Sequence, residues 1–153
     1  LELHCSYTKN QILIAMDHLN PASVREGVKY LPQKKTDLLW VTLNKSEKDY
    51  SPTTMYDDYS INAELFHWQS QNSARPERGK GLSYINHRAE GKRLFLFVRE
   101  QSKDEFGRTL GFVNFGEVEY ISHSGSQPMN IKWRLTTPMP PFMWKEAAKL
   151  AVG

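Results

Sequence analysis

The sequence predicts an α+β fold, a strongly curved mixed β-sheet or small β-barrel with an N-terminal and a C-terminal peripheral helix. Apolar residues recur at helical spacing only near the two ends of the chain, in residues 7–19 and 141–152. Between them lie six or seven short strand-like runs without the regular helical crossovers of a doubly wound parallel sheet. We expect residues 1–153 to form a single domain, since this length can bury a substantial core.

The first helix is predicted by Ile12, Leu13 and Met16, with Thr8 as its N-cap and Asn20 after its end. The clearest strand is the run LFLFV within 93–100, whose continuous apolar character indicates a central position in the sheet. A short helical or turn segment is expected at 83–91. The remaining predicted strands cover residues 27–31, 37–44, 60–70, 110–122 (one or two strands, interrupted at Gly116) and 129–137.

Composition excludes several classes of protein. Hydrophobic residues make up 39% and charged residues 24%, which is typical of a globular domain and not of a disordered chain. The longest apolar runs are too short to cross a bilayer, and the first residues, LELHCSYTKN, do not resemble a secretion signal. The single cysteine excludes an internal disulfide and a multi-cysteine zinc site, so a reducing, cytoplasmic location is expected. The missing initiator Met suggests a fragment or an excised domain.

Charge is distributed unevenly along the chain, whose formal net charge is +3. Residues 75–108 contain nine basic and five acidic residues, whereas residues 45–64 carry a balance of −3. A basic segment next to an aromatic, polar segment suits phosphate contacts that frame a base-binding pocket. A solvated surface with no ligand would give the same pattern.

The aromatic, polar segment covers residues 40–72 and contains two tryptophans, three tyrosines and a phenylalanine among many amides and hydroxyls. Such a mixture suits a pocket for a flat polar ligand, because rings stack on its faces and amides bond its edge. The alternative is a half-buried pair of strands with an ordered polar loop.

Catalytic motifs are not convincing. Residues 78–81, RGKG, are too short for a phosphate-binding loop and lack its preceding strand. None of the five histidines has metal-ligand spacing. The one enzymatic alternative is a metal-dependent nuclease that uses Glu90 and Lys92 with Asp57 or Asp58. We therefore expect no catalytic residue and no metal site in this chain.

Several long motifs resemble a known family. They are YTKNQIL, VTLNKSEKDYSPTTMYDDY, LFHWQSQN, YINH, LFLFVRE and SHSGSQPMNIKWRL followed by PMP. Together they resemble the C-terminal target-recognition domain of SauUSI-like modification-dependent (type IV) restriction enzymes. In that family the domain follows a phospholipase-D-type nuclease and a superfamily-2 helicase, and these enzymes act in phage defence.

This resemblance implies a domain that recognises 5-methylcytosine or 5-hydroxymethylcytosine in duplex DNA, by flipping the base out of the helix. It also implies a curved fold like that of SRA or PUA domains. The domain itself would need no cofactor, whereas the nuclease and helicase parts would use ATP, with or without a divalent metal. Its partners would be modified DNA and the other domains of its own chain, with no membrane. A protein-interaction module that regulates the helicase is the other alternative.

Candidate site residues follow from this hypothesis. The expected stacking walls of the base pocket are Tyr50, Tyr56, Phe66 and Trp68. The expected hydrogen-bonding residues of the pocket are Ser51, Thr53, Thr54, His67, Gln69, Gln71 and Asn72. The expected contacts to the DNA backbone are Lys45, Arg75, Arg78, Lys80 and Arg88.

Overall fold

The computed structural model of the chain describes residues 1–18, 27–43 and 58–140. Two α-helices are present there, α1 (Lys9–Ala15) and α2 (Gly79–Ile85). The strands are β1 (Ser6–Tyr7), β2 (Val28–Leu31), β3 (Thr36–Thr42), β4 (Tyr59–Ser60), β5 (Leu65–Gln69), β6 (Arg93–Arg99), β7 (Phe112–Ser124) and β8 (Asn130–Leu135). The C-terminal helix and the strand end at Asn44 that the sequence predicts lie outside the described residues.

The eight strands form one mixed sheet in the order β2-β3-β6-β7-β8-β5-β4, with β1 added to β7. Strands β3 and β6 are parallel, and all other neighbours are antiparallel. The two outer strands of this order, β2 and β4, do not pair with each other in the described part of the chain, so the sheet is open and not a closed barrel. The prediction of a mixed sheet is confirmed.

The interior of the sheet is apolar because its central strands are covered on both faces. In β3 every residue is buried, and alternate residues enter different cores. Leu39 and Val41 belong to the larger core, whereas Leu38 and Trp40 belong to the smaller one beneath α1. Strand β6 lies between β3 and β7, which confirms its predicted central position.

Helix α1 covers the smaller core with Ile12 and Leu13, which are fully buried. Thr8 caps it as predicted, since its side chain accepts from the amide of Gln11 and the Gln11 side chain accepts from the amide of Thr8. The helix is shorter than the predicted 7–19. It ends because Asp17 has a φ of 64°, in the left-handed region.

The structure divides one predicted strand and unites another. The run 60–70 becomes β4 and β5, because the side chain of Asn62 accepts from the amides of Glu64 and Leu65 and makes a turn between them. The predicted run 110–122 is replaced by the single strand β7 (Phe112–Ser124), which is continuous although Gly116 has a φ of 85°. That glycine also admits Leu3, whose Cδ2 would lie only 2.5 Å from an added Cβ. Helix α2 begins at Gly79, before the helical or turn segment predicted at 83–91.

Candidate nucleic-acid interface

The C-terminal end of β5 lies beside the start of β8, and the loops at these ends are joined by hydrogen bonds. The amide of Ser70 donates to the carbonyl of Met129, and the amide of Met129 donates to Ser70 Oγ, both at 2.9 Å. The amide of Gln127 donates to the carbonyl of Ala74, also at 2.9 Å. Two loops, one after β5 and one before β8, are therefore held as the opposite walls of a cleft.

This cleft has a volume of about 380 Å³. Its lining is formed by Gln71, Ser73, Ala74, Arg75, Arg78, Gly79, Lys80 and Gln127. Three of the five basic residues predicted to contact the DNA backbone thus converge on one concavity, which no carboxylate lines among the described residues. We call it the cation cleft.

Two contacts shape the cation cleft. The Arg75 guanidinium donates to the amide oxygen of Gln127 from Nε at 3.1 Å and from an Nη at 3.2 Å, in the amide orientation that satisfies both side chains. Gly81 lies so near the backbone that a Cβ there would be 1.9 Å from the Arg75 carbonyl oxygen. Only glycine permits this approach between the start of α2 and the loop.

The outer face of β5 and β8 is polar. His67 stacks on Tyr59 of β4, with ring centroids 4.5 Å apart, and is opposite Lys132 in the sheet register. One step along the same face, the Gln69 amide donates to Asn130 Oδ1 at 3.3 Å. This face therefore presents two of the predicted base-edge residues, His67 and Gln69.

The inner face of β5 carries Phe66 and Trp68, as the predicted alternation requires. Trp68 is 4% exposed and packs against the rings of Tyr84 and Trp133 at 5.4 and 5.9 Å, while Phe66 is fully buried against Phe115. Base stacking by these two residues stays a prediction. It requires that their rings be uncovered when a ligand binds.

The other predicted site residues are dispersed or lie outside the described residues. Asn72 is exposed beside the cation cleft. Arg88 points elsewhere, donating to Glu119 at 2.7 Å and to the carbonyl of Tyr120 at 3.0 Å. Residues outside the described ranges are Lys45, Tyr50, Ser51, Thr53, Thr54 and Tyr56.

Asp58 lies at the same end of the sheet as the cation cleft. Its Oδ1 accepts from the amide of Gln69 at 2.8 Å, just where β5 ends. The sequence allows Asp58 to be a metal ligand or a residue that caps backbone amides, and this hydrogen bond agrees with the second role. The alternation of β5 predicts which face of the strand carries Gln69. No sequence pattern identifies the hydrogen bond between Gln69 and Asp58, which are eleven positions apart.

A buried polar cluster lies behind the cation cleft. Lys92 Nζ pairs with Asp37 at 2.6 Å and donates to Ser83 of α2, and both charged side chains are at most 8% exposed. Burial raises the pKa of Asp37, and the Lys92 ammonium opposes that shift. This cluster fastens the starts of β3 and β6 to α2.

These contacts do not support the nuclease alternative. Lys92 is engaged by Asp37, whereas Glu90 accepts from Ser83 and Asp58 lies at the end of β5. Within residues 1–18, 27–43 and 58–140, no group of three or more His, Cys, Asp or Glu side chains could hold a metal ion.

The fold is similar to that of SRA domains. The SUVH5 SRA domain in complex with hemi-methylated CG DNA matches with a TM-score of 0.55 at 12% identity, over 92% of both chains. The SUVH5 SRA domain bound to fully hydroxymethylated CG DNA matches with a TM-score of 0.51 at 13% identity, again over 92% of both chains. Arabidopsis thaliana SUVH6 in complex with SAM matches with a TM-score of 0.53 at 15% identity, over 97% of this chain and 28% of that chain. The fold is thus SRA-like, as the resemblance implied.

The family follows from the sequence itself. Residues 1–147 match the model of DUF3427, a domain of unknown function, and the chain belongs to that family. No curated protein matches the chain. No helix among the described residues is long and apolar enough to span a membrane.

Proposed function

We propose that this chain is a DNA-binding domain that recognises 5-methylcytosine or 5-hydroxymethylcytosine in duplex DNA. The observation that carries the proposal is the cation cleft, in which Arg75, Arg78 and Lys80 converge at the end of β5. The SRA-like fold supports it, since SRA domains with this fold have been crystallised with methylated and hydroxymethylated CG DNA. The absence of a carboxylate from the described lining of the cleft suits an anionic ligand.

The cation cleft would hold the DNA backbone. Basic side chains neutralise phosphates and release counterions, so they provide affinity and orientation without selecting a sequence. Arg75 is preorganised for this role because Gln127 fixes its guanidinium. The outer face of β5 and β8 carries two further basic residues, Lys132 and Arg134.

The modified base would be flipped into a pocket built from the aromatic, polar segment 40–72. Unstacking a base costs a few kcal/mol, which ring stacking and edge hydrogen bonds must offset. One methyl group contributes only about 0.8 kcal/mol of apolar burial. Discrimination therefore needs a close fit around the methyl group together with hydrogen bonds to the cytosine edge.

In its biological setting we propose that the domain directs a SauUSI-like type IV restriction enzyme to modified DNA in the cytoplasm. The domain would have no catalytic role of its own, and would form a single recognition unit joined to helicase and nuclease domains. The long sequence motifs that resemble that family support this assignment.

A paired titration tests the proposal. The domain is titrated with duplexes of one sequence that carry cytosine, 5-methylcytosine or 5-hydroxymethylcytosine, at several salt concentrations. We expect tighter binding to the modified duplexes at every salt concentration, and a steep decrease of all affinities with salt. Equal affinity for the three duplexes would show that the domain binds DNA without recognising the modification.

Base flipping is tested separately with 2-aminopurine placed next to the modified cytosine. Flipping unstacks the neighbouring 2-aminopurine, so its fluorescence should increase on binding to the modified duplex and much less with the unmodified one. An unchanged signal with tight, selective binding would contradict flipping but not recognition.

A further inference from the structure

Gln71 occupies a particular position in the cation cleft. The sequence suggested that it binds the edge of the base, but it lines the same cleft as Arg75, Arg78 and Lys80. Its backbone is fixed, since its carbonyl accepts from Ser70 Oγ at 3.0 Å and from the amide of Ala74 at 3.1 Å. The side chain is consequently held at the wall of the cleft.

The Gln71 amide is hydrogen-bonded to a buried tyrosine. The hydroxyl of Tyr84 donates to Gln71 Oε1 at 3.1 Å. Tyr84 is fully buried, and its ring is held edge-on by Trp68 and Trp133 at 5.4 and 6.3 Å. In the amide orientation that the structure shows, Gln71 Oε1 accepts from this hydroxyl, which leaves the NH₂ group of Gln71 to donate to a ligand in the cleft.

The cleft therefore combines a neutral NH₂ donor with two guanidinium groups and one ammonium group. This set is rich in donors and poor in acceptors, as phosphate oxygens require. A cytosine edge presents a donor as well as acceptors, and would need an acceptor from the protein in return. A phosphodiester presents only acceptors and therefore matches this set of donors.

We infer that Gln71 is a fourth phosphate-binding residue of the cation cleft, and that Tyr84 is the positioning residue that turns its amide towards the phosphate. The inference rests on the proposed function and defines which part of the DNA this site takes. Lys92 supports the arrangement from behind, with its ammonium 5.1 Å from the centre of the Tyr84 ring.

The decisive variant is Gln71→Glu, which keeps the shape and replaces the donor with a negative charge. We expect at least about tenfold weaker binding to modified and unmodified duplexes alike, with their affinity ratio unchanged within about twofold. The matched control is Gln101→Glu, the same change at a position that is half-buried like Gln71 and whose amide donates to the carbonyl of Lys103. Gln101 follows β6, which runs opposite to β5, so it lies at the far end of the sheet.

Tyr84→Phe tests the positioning role. We expect a decrease in affinity of about threefold for both duplexes when Gln71 is present. In a Gln71→Ala background we expect no further decrease, because the inference assigns the effect of the hydroxyl on binding to its contact with that amide. Thermal unfolding of each variant is measured in parallel, and Gln71→Glu tests the phosphate contact even if Tyr84→Phe unfolds.

Two outcomes would overturn the inference. A selective decrease in affinity for the modified duplex in Gln71→Glu would make Gln71 a base-edge residue, and a decrease no greater than that of Gln101→Glu would remove it from the interface. If the unaltered domain does not distinguish the duplexes, the proposed function fails. In that case the phosphate contact is still tested, by comparing the affinities of Gln71→Glu and the unaltered domain for unmodified DNA.

Discussion

Basic residues from one third of the sequence have two opposite environments, one buried and paired, the other open to solvent. Lys92 is 8% exposed and is paired with the buried carboxylate of Asp37. Arg75, Arg78 and Lys80 line an open cleft with no acid among its described lining residues. Lys92 holds the starts of two strands to α2, whereas the other three are available to an anionic ligand. Sequence counting gives all four the same weight, and only their environment separates a structural charge from a binding charge.

The largest effect expected from this contrast is on stability. Lys92→Met would leave Asp37 buried without its partner, and we expect the free energy of unfolding to fall by about 3–5 kcal/mol. Arg93→Met is the control, because Arg93 pairs with Glu117 at the surface and should contribute less than about 1 kcal/mol. Urea denaturation measures both. A Lys92→Met protein as stable as Arg93→Met would show that the buried pair does not hold the fold together.

The complementary change removes the binding charges. In the triple variant Arg75→Gln, Arg78→Gln, Lys80→Gln, we expect the slope of log K against log salt to decrease by about 0.9 for each phosphate that the cleft no longer neutralises. Stability should change little, since these side chains are not part of the core. The matched control is Arg88→Gln, whose guanidinium is paired with Glu119 and should leave the slope nearly unchanged. Equal slopes for the triple variant and the original domain would exclude the cation cleft from the interface.

The smallest expected effect is a dependence of stability on pH. His87 is buried, and its Nδ1 donates to the carbonyl of Lys92 while Nε2 accepts from the amide of Tyr120. Burial lowers the pKa of His87, and the charges of Arg88 and Lys92 add to this, against the opposing effect of the Lys92 carbonyl and Glu119. Because the folded pKa of His87 lies below its unfolded value of 6.5, the neutral imidazole contributes its full stabilisation above pH 6.5.

We therefore expect stability to decrease as the pH falls below 6.5 through the folded pKa of His87. The Glu117 carboxyl, whose pKa is lowered by Arg93, loses its contribution only at pH values below 4.5. Denaturation midpoints between pH 7.5 and 5 would measure the first effect. If a His87→Gln variant showed the same pH dependence of stability as the original domain, the effect would come from a titrating group other than His87.

Parts of the fold could be predicted from the sequence for clear physical reasons. Period-two alternation placed Phe66 and Trp68 on one face of a strand, and the capping pattern placed Thr8 at the start of α1. The parallel pairing of β3 with β6 could not be predicted, because strands separated by fifty residues carry no local signal of being neighbours. For the same reason the pairing of Lys92 with Asp37 could not be foreseen.

The candidate site was predictable in composition but not in arrangement. Local sequence identified Arg75, Arg78 and Lys80 as a basic group, but it could not separate them from Arg88, whose partner Glu119 lies on another strand. Nor could it associate Gln71 with them, since the Tyr84 hydroxyl that orients its amide comes from α2. Such side-chain orientations depend on tertiary contacts, which single-sequence patterns do not encode.

Recognition of modified cytosine is tested most directly by a competition titration with the isolated domain. A labelled duplex containing 5-methylcytosine is bound near 0.15 M salt and displaced by unlabelled duplexes of identical sequence, with or without the modification. Our account predicts that the modified competitor displaces the label at a concentration at least about tenfold lower than the plain competitor, a difference of about 1.4 kcal/mol. Displacement by both competitors at the same concentration would contradict the claim that this domain recognises modified cytosine.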